Sequence, residues 1–298
     1  MSARPVLGLV GLGNMGGRIA RRLTAGGETV WGFDLDTGAV DRSTATPAGS
    51  VGTVMAEADL VFLSLPDSSV VEPLVLGADG ILANCREGQV VVDLSTSSPD
   101  STRRIHEQLA RRDVEYLDAG ISGGAKAAEA GTLTVMVGGS AAALDRVRPA
   151  LSHFAAHVHH MGGSGAGHTT KLLNNFLNGV SLATTAEVMV AARKAGLDLP
   201  QLLDVINASS GVNFATLERF PKIVRGDYLE GGLTVDLMAK DIRLYLELLR
   251  ELELESQTGS ATLGCFELAS SLGYGDQISN RVVDALGDVA GGIRVSAP

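Results

Sequence analysis

Residues 6–23 read Val-Leu-Gly-Leu-Val-Gly-Leu-Gly-Asn-Met-Gly-Gly-Arg-Ile-Ala-Arg-Arg-Leu, and this stretch decides the fold. Residues 6–10 form a short apolar run that predicts a strand, and residues 19–25 open a helical pattern. The turn between them has the spacing G-x-G-x-x-G, which permits a tight turn, a close approach of the backbone to a pyrophosphate, and close packing of helix on strand. The helix start offers free N–H donors to an anion. The stretch predicts a dinucleotide-binding turn made of Gly11, Leu12, Gly13, Asn14, Met15 and Gly16.

An acid follows at the end of the second predicted strand. Asp34 comes after residues 29–33, close to the usual distance of about 20 residues from the glycine turn. A carboxylate there accepts hydrogen bonds from ribose hydroxyls and repels a 2′-phosphate. No Arg or Lys occurs between Asp34 and Asp41. We therefore expect NAD as the cofactor, with NADP second. The alternative interpretation is that Asp34 or Asp36 merely opens a surface turn.

The pattern of apolar runs changes along the chain. In the first half, short β-branched runs alternate with helical patterns, which is typical of a doubly wound (Rossmann) parallel sheet in an α/β protein. After residue 163 the strand signal ends and long helical patterns follow, at residues 167–195, 200–208 and 235–254. We expect an NAD-binding domain over residues 1–163 and an all-helical domain over residues 164–298 that begins with a long interdomain helix. The predicted strands are residues 6–10, 29–33, 60–65, 90–94, 115–119 and 133–137.

The composition excludes several classes of protein. The chain has 298 residues, 45% of them hydrophobic, and a formal net charge of -10 from 24 basic and 34 acidic residues. So acidic a chain is a poor match for nonspecific binding to nucleic acid or to anionic membranes. No uncharged apolar run approaches the roughly 18 residues of a membrane span. The two cysteines, Cys85 and Cys265, are expected to be reduced, which favours the cytoplasm.

Further cofactor contacts are expected where other parallel strands end. Ligands of doubly wound sheets lie beyond the carboxyl ends of the strands. Leu65 and Pro66 follow one predicted strand, and Thr96 follows the next. These three residues are candidates to contact the cofactor, although Pro66 is explained equally well as a turn residue.

A polar stripe runs along the long helix predicted over residues 167–195. Lys171, Asn174, Asn175 and Asn178 recur at spacings of three and four on a helix that is otherwise apolar. A buried lysine has to be paired or perform chemistry. Desolvation beside a nicotinamide cation would favour the neutral lysine, which can then take a hydroxyl proton. Lys171 and Asn175 are therefore candidate catalytic residues, and solvent exposure of the stripe is the alternative.

Two further signals concern substrate and metal. Ser122, Gly123 and Gly124 follow a predicted strand, where backbone N–H groups and a hydroxyl can bind a carboxylate. Taken alone, this is only a loop. The histidines of residues 157–160 lack a nearby cluster of Cys or carboxylates, so no metal site is expected.

Four motifs in order resemble the β-hydroxyacid dehydrogenase family, which includes enzymes of the 3-hydroxyisobutyrate dehydrogenase and tartronate semialdehyde reductase type. The resemblance covers nearly the whole chain. Residues 11–16 resemble the family's cofactor motif, and residues 118–124 (D-A-G-I-S-G-G) resemble its substrate loop. Residues 165–175 (G-A-G-H-T-T-K-L-L-N-N) resemble its catalytic helix, and Lys240-Asp241 resembles its C-terminal lysine motif.

The resemblance implies roles for these positions. Lys171 would be the general acid/base, Asn175 and the Ser122 loop would hold the substrate, and Lys240 would lie near the nicotinamide. It also implies a site in the cleft between the two domains, and assembly into a homodimer or homotetramer. One departure affects the substrate loop, because the family commonly has Pro-Val where this chain has Gly120-Ile121.

The resulting hypothesis is an oxidoreductase. It would reversibly oxidise a small 3-hydroxy carboxylic acid, similar to 3-hydroxyisobutyrate, to the semialdehyde with NAD. Imine reduction is the rival within enzymes, but imine reductases usually carry Asp or Tyr where Lys171 stands. Sugar-phosphate decarboxylation would need phosphate-binding arginines that the sequence does not reveal. The remaining alternative is a noncatalytic NAD-binding scaffold.

Overall fold

The first compact unit of the protein, up to Lys171, is built on one mixed sheet. The structure is a computed structural model that describes residues 4–296. Within that range the strands are β1 Leu7–Val10, β2 Val30–Phe33, β3 Thr46–Pro47, β4 Leu60–Leu63, β5 Val90–Asp93, β6 Glu115–Ser122, β7 Leu133–Gly138 and β8 Ala155–Gly162. Their order in the sheet is β3-β2-β1-β4-β5-β6-β7-β8.

Successive strand residues are buried on opposite sides of this sheet. Leu9 belongs to one apolar cluster, together with residues of the helices Gly16–Ala25 and Ala141–Leu151. Val10 belongs to another, with residues of the four helices between Val51 and Ala110. Because both faces are covered, the strands read as continuous apolar runs rather than as alternating patterns. The helices of this part are α1 Gly16–Ala25, α2 Thr37–Arg42, α3 Val51–Glu57, α4 Ser68–Leu76, α5 Ile81–Asn84, α6 Pro99–Ala110, α7 Gly124–Ala130 and α8 Ala141–Leu151.

The sheet confirms the doubly wound prediction and adds a reversal at one edge. Neighbouring strands from β3 through β6 pair in parallel, but β7 pairs with β6 in the antiparallel sense. The outermost strand, β8, is parallel to β7 and therefore also reversed. Sequence analysis treated β7 as one more parallel strand.

A long helix, α9, spans Ala166–Lys194 and links the two units along the chain. It ends where the sequence predicts. Gly196 has φ +78°, and its N–H donates to the carbonyl of Arg193, as in a left-handed C-terminal cap. Asp198 then caps the next helix by accepting from Gln201 N. The compact units divide after Lys171, whereas the sequence predicts a domain boundary after residue 163. That boundary stays a prediction.

The second unit, from Leu172 onward, contains helices and helical turns in its described part. Its core gathers buried side chains such as Met189, Phe220, Met238 and Phe266. Within residues 4–296, no helix has both the length and the apolar character needed to cross a bilayer. The elements after α9 are α10 Leu199–Asn207, a π-helical turn Ala215–Arg219, α11 Phe220–Ile223, α12 Val235–Glu251, α13 Gln257–Ala269, an irregular turn Ser270–Tyr274, a 3-10 turn Ser279–Arg281 and α14 Val282–Val289.

Candidate active site

The predicted cofactor residues other than Lys240 share one edge of the sheet. Val10 is in register with Phe33 on one side and with Leu63 on the other, and Leu63 is in register with Asp93. The turns that follow β1, β2, β4 and β5 therefore emerge side by side. They carry Gly11 to Gly16, Asp34, Leu65 with Pro66, and Thr96. A hydrogen bond of 3.0 Å from Leu65 N to Ser95 Oγ joins two of these turns.

The glycine turn has the geometry that a dinucleotide requires. Gly11 adopts φ +89°, which side chains rarely tolerate, and a Cβ at Gly16 would collide with the carbonyl oxygen of Gly11. By contrast, a Cβ at Gly13 would meet no atom within 4 Å, so the backbone there is open to a ligand. Leu12, Gly13 and Asn14 line a cavity of about 270 Å³ beside the start of α1. These residues fit a pyrophosphate group of a nicotinamide dinucleotide.

Asp34 is anchored directly to the glycine turn. Its Oδ2 accepts from Leu12 N at 2.6 Å, and its Oδ1 accepts from Asp36 N at 2.9 Å. The carboxylate is therefore more than the opening residue of a surface turn, since it fixes the second strand's end to the cofactor turn. Each carboxylate oxygen can accept more than one hydrogen bond. The arrangement leaves acceptor capacity for ribose hydroxyls.

Three arginines that the sequence did not predict as site residues surround this cavity. Arg18, Arg21 and Arg42 also line it, although none lies between Asp34 and Asp41. Arg18 and Arg21 approach Glu129 at 3.3 and 3.8 Å. Arg42 pairs with Asp36 at 3.2 Å. Amphipathic spacing on α1 is the signal that could have placed Arg18 and Arg21 here. Each of these charges is already opposed by an acid.

A buried carboxylate holds the first turn of α9. Asp118, in β6, accepts from Gly165 N and from His168 N, both at 2.8 Å. It thereby satisfies two of the free N–H groups at the helix start and stabilises them with its charge. Asp118 therefore has a structural role at the start of this helix. The start of α9 is fixed to the sheet three residues before Lys171.

His168 lies in the interior and not at the site surface. Its side chain is fully buried, with Nδ1 at 2.7 Å from Thr102 Oγ1 and Nε2 at 3.3 Å from Asp93 O. Nearby, the Tyr116 hydroxyl donates to Asp93 Oδ2 at 2.9 Å. Burial raises the pKa of Tyr116 well above its usual value, and the adjacent Asp93 charge adds to the shift. His168 therefore joins α6 to β5 in the interior of the first unit.

Gly120 brings β6 and α9 into contact at Lys171. A Cβ at Gly120 would lie 2.5 Å from Lys171 Cβ and 3.0 Å from its Cγ. Gly120 is buried inside β6 and pairs with Met136 of β7. The departure from the family's Pro-Val thus places a glycine opposite Lys171. Lys171 itself is half-buried.

The substrate-loop candidates follow at the end of the same strand. Ser122 is the last residue of β6 and pairs with Thr134, so it is fixed by the sheet. Gly123 and Gly124 adopt φ +124° and +68°, conformations that favour glycine, and both are exposed. Their N–H groups belong to the turn that starts α7. This loop lies in the same compact unit as Gly120 and Lys171.

Asn175 lies one turn beyond Lys171 on α9 and is held by an acid that sequence analysis did not assign. Asn175 is 4% exposed, and its Nδ2 donates to Asp241 Oδ2. Asp241 is also buried and approaches Lys240 Nζ at 3.0 Å. Asp241 therefore orients the Asn175 amide and neutralises the predicted cofactor lysine. The Lys240-Asp241 motif could have indicated this acid, but the family resemblance implied a role for Lys240 alone.

Within residues 4–296, no group of three or more His, Cys, Asp or Glu side chains is arranged to hold a metal ion.

Comparisons with known proteins cover both parts of the chain. Residues 6–163 match the family described as the NAD binding domain of 6-phosphogluconate dehydrogenase. Residues 165–286 match the family described as NAD-binding of NADP-dependent 3-hydroxyisobutyrate dehydrogenase. The sequence is 36% identical over 280 residues to the 2-(hydroxymethyl)glutarate dehydrogenase of Eubacterium barkeri, which covers 93% of each chain.

Two further relatives, one found by sequence and one a solved structure, are also named as dehydrogenases. The NAD-dependent L-serine dehydrogenase of Pseudomonas aeruginosa is 36% identical over 281 residues, covering 91% of this chain and 94% of that one. A solved structure of the Mycobacterium tuberculosis 3-hydroxyisobutyrate dehydrogenase with L-serine gives a TM-score of 0.86 at 30% identity. That match covers 95% of this chain and 99% of that one. The chain belongs to the β-hydroxyacid dehydrogenase family.

Proposed function

We propose that this protein catalyses reversible hydride transfer between NAD and a small 3-hydroxy carboxylic acid, giving the semialdehyde. The names of the relatives support this substrate class, because 2-(hydroxymethyl)glutarate, L-serine and 3-hydroxyisobutyrate all carry a hydroxymethyl group on the carbon next to a carboxylate. The observation that carries the proposal is the fixed position of Lys171, which lies on a capped helix start against Gly120.

Lys171 acts as the general acid/base. In its neutral form, Nζ takes the proton of the substrate hydroxyl as the carbonyl forms, and the protonated amine returns it in the reverse direction. When bound, the nicotinamide cofactor supplies the hydride acceptor and donor. Accurate placement matters because an error of about 1 Å can cost roughly 10²-fold in rate. The contacts of Gly120 and Asp118 provide that placement.

Asn175 and the Ser122 loop orient the substrate. Asp241 accepts from Asn175 Nδ2 through one of its two N–H groups, so the second N–H of that amide would serve as a donor to the substrate oxygen. The N–H groups of Gly123 and Gly124 and the Ser122 hydroxyl are donors suited to a carboxylate. Lys240, whose charge is balanced by Asp241, would help to hold the nicotinamide.

We infer a preference for NAD over NADP from Asp34. Its carboxylate is held at the glycine turn and would accept from the ribose hydroxyls, whereas a 2′-phosphate would face that negative charge. Arg18, Arg21 and Arg42 could attract a phosphate, but each already has an acidic partner. Among the relatives, the L-serine dehydrogenase is named as NAD-dependent.

We further propose that the protein works in the cytoplasm as a homodimer or homotetramer. The support for a reducing compartment is that Cys85 and Cys265 are both free thiols. Support for self-association comes from the family resemblance alone. Sedimentation of the purified protein tests the assembly, and a monomer at micromolar concentration would contradict it.

Initial rates test the proposed function. The wild-type protein is assayed with NAD and, separately, NADP on 3-hydroxyisobutyrate, L-serine, 3-hydroxypropionate and 2-(hydroxymethyl)glutarate. We expect turnover of at least one of these acids and a higher kcat/KM with NAD. Bound NAD without turnover of any acid would favour the scaffold alternative. Reduction of cyclic imines in place of semialdehydes would favour the imine reductase alternative.

A further inference from the structure

Two hydroxyl side chains lie opposite each other at one end of β6 and β7. Ser122 of β6 is in register with Thr134 of β7, in an antiparallel pair. Residues directly opposite in such a pair share one face of the sheet, and their Cβ atoms lie about 4.5–5.5 Å apart. We call Ser122 and Thr134 the hydroxyl pair. Both residues belong to the first compact unit, as Lys171 does.

The hydroxyl pair is on the face of the sheet that contacts Lys171. A Cβ at Gly120 would lie 2.5 Å from Lys171 Cβ, so this face of β6 is the one that meets α9. Ser122 is two residues beyond Gly120, and alternate residues of a strand share a face. At about 3.3 Å per residue, the step from Gly120 to Ser122 is roughly 7 Å. The hydroxyl pair is thus a neighbour of the proposed general base.

The same end of β7 is closed on its other face. Leu133 and Val135 flank Thr134 in the strand, and both are fully buried in the apolar core on that side. Thr134 and Ser122 are only half-buried. The accessible side of the hydroxyl pair is therefore the face that meets α9.

Both hydroxyls are available to a ligand. In the part of the chain that the structure describes, neither hydroxyl has a protein hydrogen-bond partner. The next neighbour of Thr134 across the sheet is His157 of β8, which carries no negative charge in either protonation state. A carboxylate has two oxygens and can accept from both hydroxyls at once. Hydrogen bonds to a charged acceptor are also stronger than those between neutral groups.

We propose that Thr134 is a further substrate-binding residue, whose hydroxyl donates to the same carboxylate as the Ser122 hydroxyl. This inference rests on the proposed function, because that function places the substrate carboxylate at the Ser122 loop. In a 3-hydroxy acid the hydroxyl oxygen is three bonds from the carboxylate carbon, which is at most about 4 Å at about 1.5 Å per bond. That span is shorter than the roughly 7 Å step from Ser122 to Gly120. One small acid can therefore lie between the hydroxyl pair and Lys171.

The test measures turnover and carboxylate binding in matched variants. Thr134→Val removes the hydroxyl but keeps the branched shape, and Thr134→Ser keeps the hydroxyl. The control is Thr132→Val, the same change at an exposed position just before β7. Steady-state rates with NAD are measured on 3-hydroxyisobutyrate, and calorimetry measures the binding of isobutyrate to the NAD-loaded protein. Isobutyrate has the carboxylate but no hydroxyl, so its binding reports on the carboxylate site without turnover.

The expected loss is one of binding. In Thr134→Val, KM for 3-hydroxyisobutyrate and the dissociation constant of isobutyrate should both rise roughly 10- to 100-fold, because a hydrogen bond to a charged group is lost. The value of kcat should stay near that of the wild type, because the carboxylate is held equally in the ground state and the transition state. Thr134→Ser and Thr132→Val should match the wild type in both measurements.

The opposing outcomes are distinct. Isobutyrate that binds Thr134→Val as well as the wild type, or does not bind the wild type, would overturn the inference. A purely structural role would lower the melting temperature, kcat and NAD affinity together in Thr134→Val, and that result would also overturn it. A wild type that binds isobutyrate through Thr134 but oxidises no hydroxy acid would instead refute the proposed function and leave the carboxylate site in place.

Discussion

The contact between Gly120 and Lys171 makes a quantitative prediction for Gly120→Ala. The added Cβ would lie 2.5 Å from Lys171 Cβ, whereas nonbonded carbon atoms settle at about 3.5–4.0 Å. Lys171 therefore has to move by about 1 Å or more. The backbone conformation at Gly120 lies outside the left-handed region, so alanine meets no φ penalty and the effect is steric.

The first turns of α9 cannot easily absorb that movement. Gly167 lies so close to the sheet that a Cβ there would collide with the carbonyl oxygens of Asp118 and Met136. Asp118 also anchors Gly165 N and His168 N. We therefore expect a loss of about 1–3 kcal/mol in the free energy of unfolding, as is usual for overpacking. We expect kcat to fall by roughly 10- to 100-fold, because a shift of about 1 Å misplaces the general base.

Denaturant titration and initial-rate measurements on purified Gly120→Ala check both figures. Gly49→Ala is the control, since a Cβ there would meet no atom within 4 Å. The affinity for NAD should be unchanged in both variants, because the glycine turn follows β1 rather than β6. Wild-type kcat and wild-type stability in Gly120→Ala would refute the argument that this contact positions Lys171.

Three further predictions concern carboxylates. Asp34→Ala removes the acceptor for Leu12 N and the ribose hydroxyls, and should weaken NAD binding in calorimetry by about 10-fold or more while affecting NADP less. Asp118→Asn loses a charged cap at the start of α9 and should lower the unfolding free energy by about 1.5–3 kcal/mol in denaturant titration. Hydrogen bonds from Arg294 and then Tyr274 lower the pKa of Asp288, so its contribution to stability is complete above its unfolded value of 3.8 and is lost as the pH falls through its folded value. The melting-temperature difference between the wild type and Asp288→Asn should therefore be present at pH 7 and vanish in strong acid.

Each of these predictions has a contradicting outcome. Equal losses of NAD and NADP affinity in Asp34→Ala would remove the argument for cofactor preference. An unchanged unfolding midpoint in Asp118→Asn would mean that its bonds to α9 contribute nothing measurable. For Asp288→Asn, a melting-temperature difference that grows as the pH falls would reverse the sign expected from the lowered pKa.

The sequence predicts the first half of the fold well because each strand is buried on both faces and reads as an apolar run. Strand direction is not contained in such runs, and this is why β7 was treated as parallel. The predicted strands 115–119 and 133–137 leave 13 residues between them, which is long enough for a parallel crossover. In the structure β6 extends to Ser122, and the 10 residues that remain before Leu133 are fewer than the dozen or more that such a crossover requires.

The parts of the site differ in how far the sequence predicts them. The glycine turn and Asp34 depend on short spacings next to a strand, and the structure brings them together. Asp241 belongs to the Lys240-Asp241 motif, but its contact with Asn175 depends on how two helices pack, which no local pattern reports. The burial of His168 has the same origin, because helical spacing relates it to Lys171 but does not reveal that it is enclosed by Asp93 and Thr102.

The central claim is that Lys171 is the general acid/base, and single-turnover rates of Lys171→Met test it most directly. Enzyme saturated with NAD is mixed with the best acid of the panel, and formation of reduced cofactor is followed. Lys194→Met, at the far end of the same helix, is the control. We predict that Lys171→Met binds NAD like the wild type but transfers hydride at least about 10²-fold more slowly, whereas Lys194→Met is unaffected. A wild-type rate in Lys171→Met with NAD bound would contradict the claim.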